Sequence, residues 1–232
     1  MEHIINFDKY IKKDYQLKPI NPNPFTIQHS SRSILYGKTK SGKSNLVLNL
    51  LFAPKVRMFY EKVFIYCKDP SEDKYRTIMD KFQKIEMKLS KIEKRVVEIL
   101  HISTDINNIN LDDFDPSFQT LVIFDDMITN KNLDSVLEIW IRGRKRNISS
   151  FFLSQSWYTI PKDIRTNTDY VILFRVNNKG DIDRIYNDTV RGVEKQDFLD
   201  KYNEVMNKHP FGFITIDNLE TNQNRKVREG LI

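Results

Sequence analysis

Gly37-Lys38-Thr39-Lys40-Ser41-Gly42-Lys43-Ser44 completes the pattern G-x-x-x-x-G-K-[ST]. Before it, Ser33-Ile34-Leu35-Tyr36 reads as a short buried strand; after it, the apolar run from Asn45 to Phe52 reads as a helix. Strand, loop and helix in that order are the context in which the pattern carries meaning. The glycines let the backbone curl so that successive N–H groups face one anion, and the new helix directs its positive end at the same point. In such a cradle all eight residues surround nucleotide phosphates, Lys43 reaches the β and γ phosphates, and the Ser44 hydroxyl ligates Mg²⁺. The plainer reading is a lysine-rich surface turn ahead of a helix. With seven glycines in 232 residues, it leaves the glycine spacing unexplained.

Further along, Gln119-Thr120-Leu121-Val122-Ile123-Phe124-Asp125-Asp126 is a strand with a continuous apolar centre that ends in two acids. A phosphate loop binds nucleotide; hydrolysis also needs a carboxylate near Mg²⁺ and a group that positions water. Asp125 is the candidate metal ligand, through a coordinated water, and Asp126 the candidate base. The alternative is two acids that merely favour the dipole of a following helix. The strand Ser150-Phe151-Phe152-Leu153 runs into Ser154-Gln155-Ser156, so Gln155 stands at a strand's carboxyl end, where it could hold the attacking water or sense the γ phosphate. Arg142-Gly143-Arg144-Lys145-Arg146 gathers four cations around a glycine. That cluster suits a polyphosphate in a neighbouring subunit, a nucleic-acid backbone, or solubility alone.

The remaining sequence sets bounds. A chain of this length, 40% hydrophobic and 12% aromatic, fills the core of one globular domain. Net charge is +6, a mild excess that attracts a polyanion only if gathered on one face. No apolar run approaches a membrane span and the start lacks a secretory pattern, so a soluble intracellular protein is expected. Cys67, the one cysteine, ends an apolar run and reads as a buried thiol, and His3, His29, His101 and His209 show no ligand spacing. Asp112, Asp113 and Asp115 read as a solvated loop, since calcium-loop spacing is absent.

Residues 1–30, with Pro19, Pro22 and Pro24, read as an extended arm; 31–218 as one P-loop domain; and 219–232 as a polar basic tail. Within the domain, strands are expected at 33–36, 62–67, 119–126, 148–153, 170–174 and 211–216, with helices at about 74–91 and 133–141. Residues 96–102 read either as a strand or as the end of the preceding helix. Continuous apolar strands separated by helices predict an α/β fold with a mainly parallel sheet covered on both faces.

The order of phosphate loop, Phe-Asp-Asp strand, helix, Arg144–Ser149, strand and Ser154-Gln155-Ser156 resembles the FtsK/HerA superfamily of DNA-pumping ATPases. Within it the chain looks most like the poxvirus-type virion DNA-packaging ATPases of large DNA viruses and virophages. Pro24-Phe25-Thr26-Ile27, Ile160–Arg165 and Phe211–Asp217 fit the same picture, which covers roughly 22–217. The resemblance implies a RecA-like P-loop NTPase that uses ATP and Mg²⁺, forms a ring of five or six subunits, and drives double-stranded DNA into a preformed capsid. Its partners would be that DNA, further copies of the chain, and capsid or vertex proteins. Its place would be the host cytoplasm or viral factory, with virion association open. Lys43 and Ser44 then carry the phosphate and Mg²⁺ roles, Asp125 and Asp126 the acid pair, and Gln155 the sensor. Arg144 matches the family's inter-subunit arginine, with Arg142 and Arg146 as substitutes. Asp126 stands where the superfamily often has glutamate, which leaves the base open. A small-molecule P-loop kinase, with the arginine segment as a lid, and a non-catalytic nucleotide switch are the competing readings.

Overall fold

The computed structural model describes residues 27–53, 58–107, 109–127, 133–176 and 178–231. Within them the strands are β1 (Arg32–Tyr36), β2 (Lys62–Cys67), β3 (Leu100–Ser103), β4 (Thr120–Asp125), β5 (Ile148–Ser154), β6 (Tyr170–Phe174), β7 (Phe213–Asp217) and β8 (Val227–Glu229). They form one sheet in the order β3-β2-β4-β5-β1-β6-β7-β8. The first six in that order run parallel, whereas β7 and β8 are antiparallel additions at one edge. The helices are α1 (Lys43–Phe52), α2 (Asp73–Glu93), α3 (Asp134–Arg142), α4 (Lys162–Thr166), α5 (Lys179–Thr189), α6 (Lys195–Lys208) and α7 (Gln223–Lys226).

Alternation along each strand sends successive side chains to opposite faces, and both faces are apolar here. In β4, Leu121 and Ile123 pack with α1 and α2, through Leu46, Val47, Leu50, Tyr75, Ile78 and Phe82. Val122 and Phe124 pack on the other face with Val136, Ile139 and Trp140 of α3 and with residues of α4, α5 and α6. Trp140 is fully buried, and its indole N–H donates to the Ile164 carbonyl at 3.1 Å. The expected parallel sheet, covered by helices on both faces, is the architecture observed. Cys67 is buried. Among the described residues no helix is long and apolar enough to cross a membrane.

Some boundaries differ from expectation. Of residues 96–102, only 100–102 lie in a strand, β3; α2 stops at Glu93, Lys94 takes a left-handed φ of 54°, and 96–99 lead into the strand as irregular chain. Residues 1–26 of the expected arm, with Pro24, Phe25 and Thr26, lie outside the described residues. Ile27, by contrast, is core at 1% exposure, and His29 bonds Asn147 and Ser149. The stretch read as a polar tail supplies α7 and the edge strand β8, held by backbone pairing to β7 and by Arg228 on Asp217 at 3.0 Å. β8 has a neighbour on one side only and its three residues are half-buried, so polar side chains are tolerated and no apolar run announces it. The Asp112 cluster forms a short 3₁₀ turn capped by Asn110, and Asp112 pairs with Arg146.

Candidate active site

The strand order builds the site. β5 lies between β1, which delivers the phosphate loop, and β4, which delivers the acids. With strands about 4.8 Å apart, the ends of β1 and β4 stand roughly 10 Å from each other, and the residue after β5 falls between them. All three carboxyl ends open on one cavity of about 390 Å³, lined by Thr39 to Asn45, Asp125, Asp126 and Gln155 together with Lys68, Glu72, Lys74, Tyr75 and Phe211.

The loop is pinned to both neighbours of β1: Gly37 N–H donates to the Ser154 carbonyl at 3.3 Å and Lys38 N–H to the Arg175 carbonyl at 3.0 Å. At Gly37 an added Cβ would stand 2.6 Å from Phe174 Cβ and 2.8 Å from Ser41 Oγ, so only glycine fits. Gly42, with φ +111°, caps α1 in a conformation that side chains disfavour. Lys43 is 9% exposed, and its ammonium donates to the Gly37 carbonyl at 2.6 Å and the Lys38 carbonyl at 3.0 Å. Burial lowers its pKa to about 8, against the opposing pull of Asp125 and Asp126 and with a further push down from Lys74. The Ser41 hydroxyl is buried and has no hydrogen-bond partner among the described residues.

The two acids differ. Asp125 continues the parity of Leu121 and Ile123, so its side chain emerges on the α1/α2 face, where Ser44 also lines the cavity. Its Oδ2 accepts from Lys74 Nζ at 3.0 Å and from Tyr75 OH at 2.7 Å. Burial and Asp125 together raise the Tyr75 pKa far above normal. Asp126 breaks the strand with φ 55°; its N–H donates to the Leu153 carbonyl, and its carboxylate meets Lys68 at 3.2 Å in an exposed pair. Gln155 Oε1 accepts from Thr39 Oγ1 at 2.5 Å.

The arginines lie elsewhere. Residues 143–146 form a 3₁₀ turn just before β5, at the opposite end of the sheet, one strand length or about 20 Å from the cavity. Arg146 is anchored to Asp112 at 3.0 Å and to the Phe114 carbonyl, and Arg142 pairs with Glu138 one helical turn away. Arg144 reaches Asp169 at 3.4 Å, yet Asp169 is already engaged by Arg32 at 2.8 Å. The loop, acid pair and glutamine are thus brought together, and the arginines are not.

Sequence reasoning missed Lys74, Tyr75, Glu72 and Phe211. Tyr75 falls within the helix expected at about 74–91, and it is also a core residue at 3% exposure. The available signal is the turn Asp69–Asp73, which starts a helix at a strand's carboxyl end.

A parallel sheet in which a single strand separates the phosphate loop from paired acids above one cavity is the architecture of RecA-like P-loop ATPases. Solved structures match it. The B204 DNA-packaging ATPase from Sulfolobus turreted icosahedral virus superposes with a TM-score of 0.57 at 14% identity, over 86% of this chain and 96% of that one. The genome packaging NTPase B204 from Sulfolobus turreted icosahedral virus 2, in complex with AMPPCP, gives 0.52 at 15% identity, over 86% and 96%. At such identities the likeness is one of fold. No curated protein matches the sequence significantly. The chain belongs to the Poxvirus A32 protein family, whose profile matches residues 24–216.

Proposed function

We propose that this chain is an ATP-driven DNA translocase that packages double-stranded viral DNA into a preformed capsid, hydrolysing ATP between the subunits of a ring. The observation that carries this reading is the single cavity where the phosphate loop, Asp125 and Gln155 meet, in a chain of the A32 family. The fold it shares with viral packaging NTPases supports the same conclusion.

The residues divide the work. The N–H groups of 37–44 cradle the phosphates, and Lys43 exchanges its loop carbonyls for phosphate oxygens. Ser44 and Asp125 would hold Mg²⁺, Asp125 through water. The fit rests on the donor set: a hydroxyl and a carboxylate, oxygen donors suited to a hard cation, line the same cavity, and an ammonium already stands on Asp125. Bound with ATP, Mg²⁺ neutralises charge on the phosphate oxygens. Asp126 acts as base and Gln155 orients the attacking water. Arg144 lies too far from its own cavity to serve it; on this reading it acts in a neighbour's site, in a ring of five or six copies. Its loose hold on Asp169 favours it over the anchored Arg146. Duplex DNA and capsid or vertex proteins are the partners, in the cytoplasm or viral factory of an infected cell.

An ATPase titration against protein concentration, with and without duplex DNA, tests this. Expected is Mg²⁺-dependent hydrolysis that rises cooperatively with concentration and again with DNA, and that Lys43→Ala abolishes. Hydrolysis indifferent to both would overturn the motor. Phosphate transfer to a small acceptor would favour a kinase, whose lid the distant arginine turn does not provide.

A further inference from the structure

The corner from β2 into α2 brings to the cavity side chains that neither the phosphate loop nor the acid strand accounts for. Lys74 Nζ lies 3.0 Å from Asp125 Oδ2 and 3.0 Å from Glu72 Oε2. Tyr75 OH donates to the same Asp125 oxygen, and the Lys74 ammonium stands 4.7 Å from the centre of the Tyr75 ring. The Asp125 side chain is 11% exposed and that of Lys74 26%. The nearby Lys68–Asp126 pair is far looser, at 44% and 42%.

With an ammonium and a phenol both on Asp125 Oδ2, that oxygen is closed to the water shell of a divalent cation for as long as Lys74 stays. The two donors differ in freedom. The Tyr75 ring is locked in the core beneath α2, so its hydroxyl stays and keeps Asp125 aimed. Lys74 sits in the first turn of α2 on a flexible four-carbon stem, with Glu72 as a second anchor.

Resting on the ATPase reading above, we propose that Lys74 is a resident stand-in for the divalent cation. It occupies Asp125 until Mg²⁺ loads, is displaced by it, and then faces the triphosphate as a cation supplied by the chain itself. Tyr75 is the positioning residue of this device. The charge balance of the site favours the exchange. Mg²⁺ brings two positive charges to Asp125 and repels the ammonium, while the triphosphate opens a new anionic partner on the same cavity wall.

A purely structural ion pair would behave differently. Its loss would loosen Asp125 and weaken Mg²⁺ binding, whereas loss of a competitor strengthens it. The test follows binding of a fluorescent, non-hydrolysable ATP analogue as Mg²⁺ is titrated onto the full chain, beside steady-state hydrolysis. In Lys74→Met the half-saturating Mg²⁺ concentration should fall about tenfold, the scale of one charge-assisted hydrogen bond released. At the same time kcat should fall at least about tenfold with KM little changed. Lys74→Arg should stay near wild type on both measures. Should the Met variant melt early, Lys74→Gln, which keeps a donor without the charge, should show the same fall in Mg²⁺ requirement. A Mg²⁺ midpoint unchanged or raised in both neutral variants, or an unaltered kcat, would overturn the proposal. Nucleotide binding absent from wild type, or untouched by Lys43→Ala, would instead overturn the nucleotide-site reading and this proposal with it.

Discussion

Thr39 Oγ1 donates to Gln155 Oε1 at 2.5 Å, tying the phosphate loop to the strand end that stands between it and the acids. In the proposed ATPase, Gln155 acts at the γ-phosphate end of the nucleotide rather than on its base or sugar. Gln155→Ala should therefore lower turnover about 10- to 100-fold while nucleotide affinity changes by less than about threefold. Equilibrium binding beside steady-state hydrolysis checks this; an equal loss in both would make Gln155 a binding residue only.

Gly37 has no room for a methyl group between Phe174 Cβ and Ser41 Oγ. Gly37→Ala should cost about 1–3 kcal/mol in denaturant unfolding, as overpacking does. It should also weaken nucleotide binding, because the loop is hung from β5 and from Arg175 through Gly37 and Lys38. A variant as stable as wild type would show that the loop can shift as a body.

Arg144 and Arg146 are two residues apart and should fail in different ways. Arg146→Ala removes bonds to Asp112 and to the Phe114 carbonyl, and should reduce stability by about 1–2 kcal/mol. Arg144→Ala should leave the melting temperature and nucleotide binding nearly intact while removing turnover. Wild-type hydrolysis by that variant would reject the trans assignment.

His29 fastens the lead-in segment to the turn before β5, with its ring between Asn147 Oδ1 at 2.7 Å and Ser149 Oγ at 2.9 Å. Burial holds its pKa below the ordinary 6.5, although the bonds to Asn147 pull the other way. The unfolded chain then takes up the proton more readily than the folded one. The stabilisation is complete above pH 6.5 and is lost as pH falls below it, through the folded-state value. Thermal melts between about pH 7 and 5 should show this decline, and His29→Gln should flatten it. An identical slope in the variant would assign the decline to other groups.

Much of this architecture could be read along the chain. The strands at 62–67 and 170–174 fall where the apolar runs put them, and β4 ends at Asp125 as its composition implies. The opposition of Gln155 and Arg144 is also implicit, since one strand separates them and its two ends face opposite ways. The edge strand β8 and the buried Ile27 were illegible, because neither belongs to a periodic apolar segment.

The glycine spacing, the strand ahead of it and the acids after Phe124 are local patterns. Backbone curvature and side-chain alternation within a few residues govern them, so the linear chain was enough to single out a loop and a pair of acids that the fold brings to one cavity. Which strand lies between the two, and that Lys74 and Tyr75 reach Asp125 from about fifty residues away, depended on packing. Such contacts arise from the order in which strands dock to bury both faces of the sheet, and burial is indifferent to sequence distance.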